Sequence, residues 1–200
     1  MPTVALADEQ AVLQLPPPQT PRNTALIDTL KLRKSSREFS EKPLPLGLLS
    51  LLLWSAFGIN RPDSGKRTAP SARNWQEIDV YTVLAEGVFR YDAPAHTLQR
   101  TVPRDLRAMT GVQDFVGRAP LNLVYVANLT RMTDASAEDK AFYLAADAGF
   151  VAQNVYLLCA AEGLATVVRG LVDRKALAAA MALHTDQRIV LAQTVGYPAA

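Results

Sequence analysis

Seven consecutive residues, Arg33-Lys34-Ser35-Ser36-Arg37-Glu38-Phe39, place three cations and two hydroxyls side by side at the end of a short helical pattern. A phosphate suits such a set, because arginine forks bind oxygen pairs while serine hydroxyls and backbone N–H groups add neutral donors. A basic helix C-terminus that offsets the macrodipole accounts for the Lys and Arg equally well. It does not account for the paired serines or the abrupt Phe39, so on this segment alone both readings stand.

Other chemistries fail on number or spacing. One cysteine, Cys159, excludes an intramolecular disulfide, a multi-cysteine zinc site and an iron–sulfur cluster. Two isolated histidines, His96 and His184, speak against a His-rich metal site, and no metal is expected. Gly65-Lys66-Arg67-Thr68 has the look of a phosphate-binding loop, but Asn60 stands where its first glycine belongs and Arg67 displaces the hydroxyl residue. No G-x-G-x-x-G follows a strand and no G-x-S-x-G elbow occurs. Cys159, inside Tyr156-Leu157-Leu158-Cys159-Ala160-Ala161, reads as inert core packing, and both histidines read as structural or surface residues. Chemistry in this chain therefore calls for an organic cofactor.

The elements that must position these residues follow from composition and period. Two hundred residues, 49% hydrophobic and 20% charged, describe one ordinary globular domain rather than a disordered or fibrous chain. A net charge of +2 is too small for nucleic-acid binding across the whole surface. Residues 31–73 nevertheless carry nine basic side chains against three acids, interleaved with Ser, Pro and Asn, which suits pinpoint anion binding better than a diffuse patch. The longest apolar run, residues 44–59, is broken by Pro45, Gly47, Ser50, Ser55 and Gly58 and falls short of the roughly 20 residues of a membrane span. Residues 2–8 lack a basic leader region, so a cytoplasmic location is expected; Ala5-Leu6-Ala7 has the form of a signal-cleavage end and keeps a periplasmic one as the alternative.

Residues 1–23, with Pro16-Pro17-Pro18 and Pro21, read as an extended N-terminal arm with no core of its own, ahead of a domain over 24–200. Leu26, Ile27 and Leu30 predict a helix capped by Asn23 or Thr24. An apolar, central helix over 46–57 is expected to stop at a left-handed Gly58. Residues 60–73 read as a polar loop, and alternation predicts a meander of strands over 78–84, 88–91 and 97–98. Further strands are expected over 121–126, 164–168 and 189–195, with a long helix over 136–162 ending at Gly163 and a helix capped by Asp173. Pro103, Gly111, Gly117 and Pro120 mark loops and short helices over 100–138.

The order of short motifs along this frame resembles the nitroreductase superfamily of FMN flavoproteins. Arg33-Lys34-Ser35-Ser36-Arg37-Glu38-Phe39 is similar to the family's opening flavin motif. The stretches from Leu53 to Arg61 and Arg67-Thr68-Ala69-Pro70-Ser71-Ala72, followed by Val88-Phe89-Arg90-Tyr91-Asp92, resemble the branch containing SagB-type and thiazole-forming oxidases. Ala148-Gly149-Phe150-Val151-Ala152-Gln153-Asn154, Gly163-Leu164-Ala165-Thr166 and Val195-Gly196-Tyr197-Pro198 match the long helix, the following strand and the terminus, so the resemblance covers about residues 25–198.

That resemblance implies an α+β fold, with a mixed, mainly antiparallel sheet flanked by helices, in a homodimer with two shared FMN sites at its interface. It implies that Arg33, Ser35 and Arg37 hold the phosphate and the flavin pyrimidine edge, with Lys34 replacing a second Arg. Pro70, Ser71, Asn74 and Gln76 match a stretch that family members present to the partner's flavin, and Val168, Arg169 and Gly170 match the segment whose backbone lies near flavin N5. The implied activity is ping-pong hydride transfer from NAD(P)H, a diffusible reductant, through FMN to a small acceptor such as a nitro compound or quinone. The other reading left open is a non-enzymatic FMN-binding or interaction module. Ala72 departs from the family's second Ser, the family's C-terminal Lys-x-Arg clamp is not seen before Ala200, and no Lys-Tyr dipeptide of the azoline-oxidising members occurs. Arg67 or Arg73 is the expected helper for the phosphate.

Overall fold

The computed structural model describes residues 11–19 and 24–199; Ala5-Leu6-Ala7 and Asn23 lie outside them. Seven strands form one sheet: β1 (Val12–Gln14), β4 (Ile78–Leu84), β5 (Gly87–Asp92), β6 (Thr97–Val102), β7 (Leu121–Asn128), β8 (Ala165–Arg169) and β9 (Gln187–Gly196). Their spatial order is β1-β6-β5-β4-β7-β9-β8, and every pairing among them is antiparallel. The last strand, β9, runs between β7 and β8, so those two are parallel and are joined by the long helix α3 (Ala137–Glu162) crossing over it.

Both faces of the sheet are covered, which explains why every residue of β4 is buried. Ile78, Val80 and Leu84 face a core shared with α2 (Leu46–Phe57) and with the Ala148, Val151, Ala152, Val155 and Cys159 face of α3. Tyr81 and Val83, on the alternate positions, face Leu177 and Met181 at α4 (Arg174–Ala180). By length and composition α3 could cross a membrane, but its inward stripe is part of this core.

Local chemistry sets the helix ends. Ser136 Oγ accepts from Asp139 N at 3.0 Å, Gly163 closes α3 at φ 71°, and Asp173 Oδ1 accepts from Ala176 N at 3.0 Å. Two expectations fail. The first helix, α1 (Leu26–Leu32), begins from Ala25 with no side-chain cap, and Thr24 plays no part in it. Gly58 is extended (φ −73°, ψ 169°) rather than left-handed; glycine is required because a Cβ there would come within 2.5 Å of Trp54 Cδ1.

Two further corrections concern segments read as irregular. Inside the supposed polar loop, β2 (Ile59–Arg61) and β3 (Lys66–Arg67) pair as a small antiparallel hairpin. The arm is extended over 11–19, yet it is not without core: β1 adds an edge strand to β6 and Leu15 is buried. His96 ties it down, with Nε2 at 2.8 Å from Ser50 Oγ and 3.1 Å from Pro16 O, and Nδ1 at 2.9 Å from Tyr91 Oη. These contacts give His96 a structural role, and burial lowers its imidazole pKa.

Candidate functional site

Tyr156 is where the predicted motifs meet. Its hydroxyl lies 2.8 Å from Ser35 Oγ and accepts from Val168 N at 2.9 Å, while the Arg33 guanidinium sits 5.4 Å from its ring centroid. Ser36 N donates to Thr166 O at 2.9 Å, fixing the motif along β8. Arg33, Ser35 and Val168 are therefore assembled around one side chain. Lys34 lines a cavity of about 440 Å³ together with Tyr156 and Thr166. Arg37 is exposed, forms no hydrogen bond or ion pair among the described residues, and lines a smaller cavity with Phe39, Phe115 and Arg118.

Gly170 follows the end of β8, and its neighbour Arg169 turns inward. The Arg169 guanidinium donates to Thr110 O at 2.6 Å and to Asn122 Oδ1 at 2.9 Å, and burial pulls its pKa down to about 10. Cys159 is fully buried and burial pushes its thiol up to about 12, which leaves it inert.

Residues 70–76 form a second group. Arg73, Asn74 and Gln76 all have positive φ (49°, 58° and 49°), a conformation that costs non-glycine residues on the order of 1 kcal/mol or more each. The surrounding structure holds it in place. Ser71 Oγ accepts from Gln76 N at 2.8 Å, Asp147 Oδ2 accepts from Ala72 N at 2.8 Å, and Arg131 donates to Gln76 O at 2.8 Å and to Asp79 at 2.9 Å. Arg67 donates to Gln76 Oε1 at 2.8 Å and to Phe57 O at 3.1 Å. Arg67 is thus an inward clamp on this segment, with neutral partners at Nε and Nη1, and Arg73 lies over the Trp75 ring. The Gln76 side chain is itself spent on Arg67, Gly65 O and Asn74. Pro70 and Asn74 are exposed.

Beneath this segment Glu77 is fully buried, and neither of its carboxyl oxygens has a hydrogen-bond partner in its ionised form. Burial is the largest cause raising its pKa, to about 7, and the nearby Asp147 carboxylate adds to it.

The two groups meet α3 at different places. Asp147 and Tyr156 are nine residues apart, about 13 Å along a helix. Within one chain the strained segment and the Arg33 cluster are therefore separate groups. Neither lines the open cleft of about 1080 Å³ walled by Pro16, Pro45, Trp54, Pro62 and Pro94.

Sequence reasoning missed Tyr156 and Asp147. Both carried a signal: Asp147 is the lone acid between Lys140 and Glu162, and it and Tyr156 sit at helical spacing with the sheet-facing Val151, Ala152 and Val155. Polar tips on such a stripe need a partner.

The model of the nitroreductase family matches residues 30–197, a span that holds six of the seven strands of the sheet, α3, the Arg33 cluster and residues 70–76. The chain belongs to the nitroreductase family. A Methanocaldococcus jannaschii protein described as a nitroreductase is 34% identical over 155 residues, covering 72% of this chain and 78% of that one. A crystal structure of a Ralstonia eutropha JMP134 protein, likewise described as a nitroreductase, is 47% identical with a TM-score of 0.92, covering 100% of this chain and 95% of that one. A Vibrio harveyi NADPH:FMN oxidoreductase, solved with NAD+, shares the fold at 18% identity and a TM-score of 0.65, over 88% of this chain and 68% of that one. Membership of the nitroreductase family implies an oxidoreductase with an α+β, mainly antiparallel fold, as the sheet of this chain has.

Proposed function

We propose that this chain is an FMN-dependent oxidoreductase that takes hydride from NADH or NADPH and delivers it to a small acceptor of nitro or quinone type. The observation that carries the reading is the convergence of Arg33, Ser35 and Val168 N on Tyr156, which joins two motifs of the family's flavin site that lie more than a hundred residues apart in sequence. The family match and the NADPH:FMN oxidoreductase among the similar structures support it.

The donor set fits a flavin mononucleotide: a guanidinium and a hydroxyl at Arg33 and Ser35 and an uncommitted guanidinium at Arg37. When bound, the flavin supplies the hydride chemistry, and the protein supplies position and electrostatics. Arg33, Ser35 and Lys34 hold the phosphate end. Arg37 faces the pyrimidine edge, where a cation stabilises the negative charge of the reduced ring. The Val168, Arg169 and Gly170 backbone would hold the reactive edge, and Tyr156 keeps that backbone in register with Ser35.

Pro70, Ser71, Asn74 and Gln76 complete the site of the other subunit in a homodimer. Two observations support this assembly: the two groups of one chain are separated along α3, and Leu26, Ile27, Leu30 and Leu32 on α1, with Phe142 and Phe150 on α3, are exposed. The motif order supports a kinship with the SagB-type branch, and the missing Lys-Tyr dipeptide argues for reduction rather than azoline oxidation.

Purified protein should be yellow and should bleach with NADH or NADPH under anaerobic conditions. A yellow protein that dithionite reduces but neither nicotinamide does is a binding module instead; a colourless protein that takes up no FMN overturns the reading.

A further inference from the structure

Arg169 is a buried cation with no counter-charge among the described residues. Arg169 is 6% exposed, and its hydrogen-bond partners are all neutral: Thr110 O, Thr110 Oγ1 and Asn122 Oδ1. Its Nε is buried with no acceptor, and no carboxylate pairs with it among the described residues. Burying a cation against neutral partners is expensive, and the fold makes room for it deliberately: a Cβ on Gly111 would overlap Arg169 Nη1.

The position of this cation is telling. It immediately follows Val168, whose N–H is held by Tyr156. Its guanidinium carbon lies 5.9 Å from the Phe115 ring centroid, and Phe115 packs on Phe39, with ring centroids 5.3 Å apart, two residues beyond Arg37. The charge is therefore separated from Phe39 of the motif by one aromatic ring, on the residue next to Val168.

We infer that Arg169 is an electrostatic element of the cofactor site, a guanidinium kept free of carboxylates so that its charge is answered by the negative charge that reduction places on the bound flavin. The inference rests on the flavin reading above. Arg169 touches neither substrate nor the phosphate end; it acts through the field it sets up in a low-dielectric layer. Its consequence is a site that holds reduced FMN more tightly than oxidised FMN.

Potentiometric titration of FMN on the wild type, Arg169→Met, Arg169→Lys and Asn122→Asp tests it. Methionine removes the charge and keeps the length, and lysine keeps the charge without the fork. Asn122→Asp sets a carboxylate at the atom that Nη2 already contacts, neutralising the cation in place at the expense of the Asn122 bond to Val116 O. Arg169→Met and Asn122→Asp should each lower the preference for reduced over oxidised FMN by about tenfold, a fall of about 30 mV for a two-electron couple, while Arg169→Lys stays near the wild-type potential.

A purely structural arginine would weaken both oxidation states alike and lower the melting temperature with the potential unmoved; that outcome overturns the inference. A wild-type chain that binds no FMN overturns the flavin reading and this inference with it, whereas FMN uptake at a potential that neither neutralising variant shifts overturns this inference alone. Where Arg169→Met does not fold, the near-isosteric Asn122→Asp decides.

Discussion

The Ser35 and Tyr156 hydroxyls lie 2.8 Å apart, across 121 residues of sequence, and the same tyrosine oxygen takes the Val168 N–H. One phenol thus fixes the distance between a cluster of anion-binding side chains and a strand end. Tyr156→Phe keeps the ring under Arg33 but strips both bonds, leaving a half-buried N–H unpaired. We expect a loss of about 1–2 kcal/mol in denaturant unfolding of the apo-protein and a FMN affinity lower by roughly tenfold. Unchanged values for both would remove Tyr156 from the site.

The phosphate assignment makes a sharper demand. Arg33→Ala should weaken FMN by roughly tenfold to a hundredfold, since a charge-assisted contact contributes about 1.5–3 kcal/mol, and should leave riboflavin almost unaffected. Arg37→Ala, at the pyrimidine edge, should weaken both flavins. Titration of each flavin into apo-protein separates the roles; equal losses of FMN and riboflavin in Arg33→Ala would place the phosphate elsewhere.

Glu77 predicts a pH dependence. Its folded pKa is raised to about 7 by burial and by Asp147, whereas an unfolded glutamate titrates at about 4.3. Between those values the folded chain holds a proton that the unfolded chain has lost, so stability from this group is complete below about pH 4 and is lost as pH rises to about 7. Glu77→Gln should flatten that slope and be the more stable form at pH 8. Urea titrations of both proteins from pH 5 to 8 measure the difference, and parallel curves would show that Glu77 is ionised throughout. Because Asp147 also holds Ala72 N, the same variant should protect the backbone of residues 71–76 from hydrogen exchange at high pH.

What the sequence made legible was what local chemistry decides. The ends of α3 follow from a Ser136 cap and a Gly163 stop, and β4 from alternation of Ile78, Val80, Tyr81 and Val83 between two cores. The first strand, β1, was not legible because Val12–Gln14 pairs only through a partner more than eighty residues away. Gly58 showed that a glycine is required but not why; the reason, a collision with Trp54, exists only once the helix has formed. The Arg33 motif was readable as anion chemistry from residue types alone. Its organiser was not, since Tyr156 looks like any aromatic in an apolar run until Ser35 and Val168 are brought to it. The place of Arg67 was hidden for the same reason: composition counts a cation but does not say that it bonds Gln76 and Phe57 O.

Assembly gives the last prediction. Leu26, Ile27 and Leu30 are 62%, 62% and 47% exposed on a seven-residue helix whose buried residue is Thr29. A helix that shows its apolar side chains outward contributes little to its own core and needs a covering surface. If a second copy supplies it, Ile27→Glu with Leu30→Glu should break the dimer at little cost to the folded monomer, because neither side chain belongs to either core cluster. Residues 70–76 would then no longer reach the other subunit's site, so flavin should be lost together with the dimer while the far-ultraviolet circular dichroism spectrum is kept. Sedimentation equilibrium and the flavin-to-protein absorbance ratio, measured on the same samples, follow both quantities. A flavin-loaded monomer at micromolar concentration, in the wild type or the variant, would show that Arg33, Ser35 and Val168 hold the cofactor without residues 70–76 of a partner.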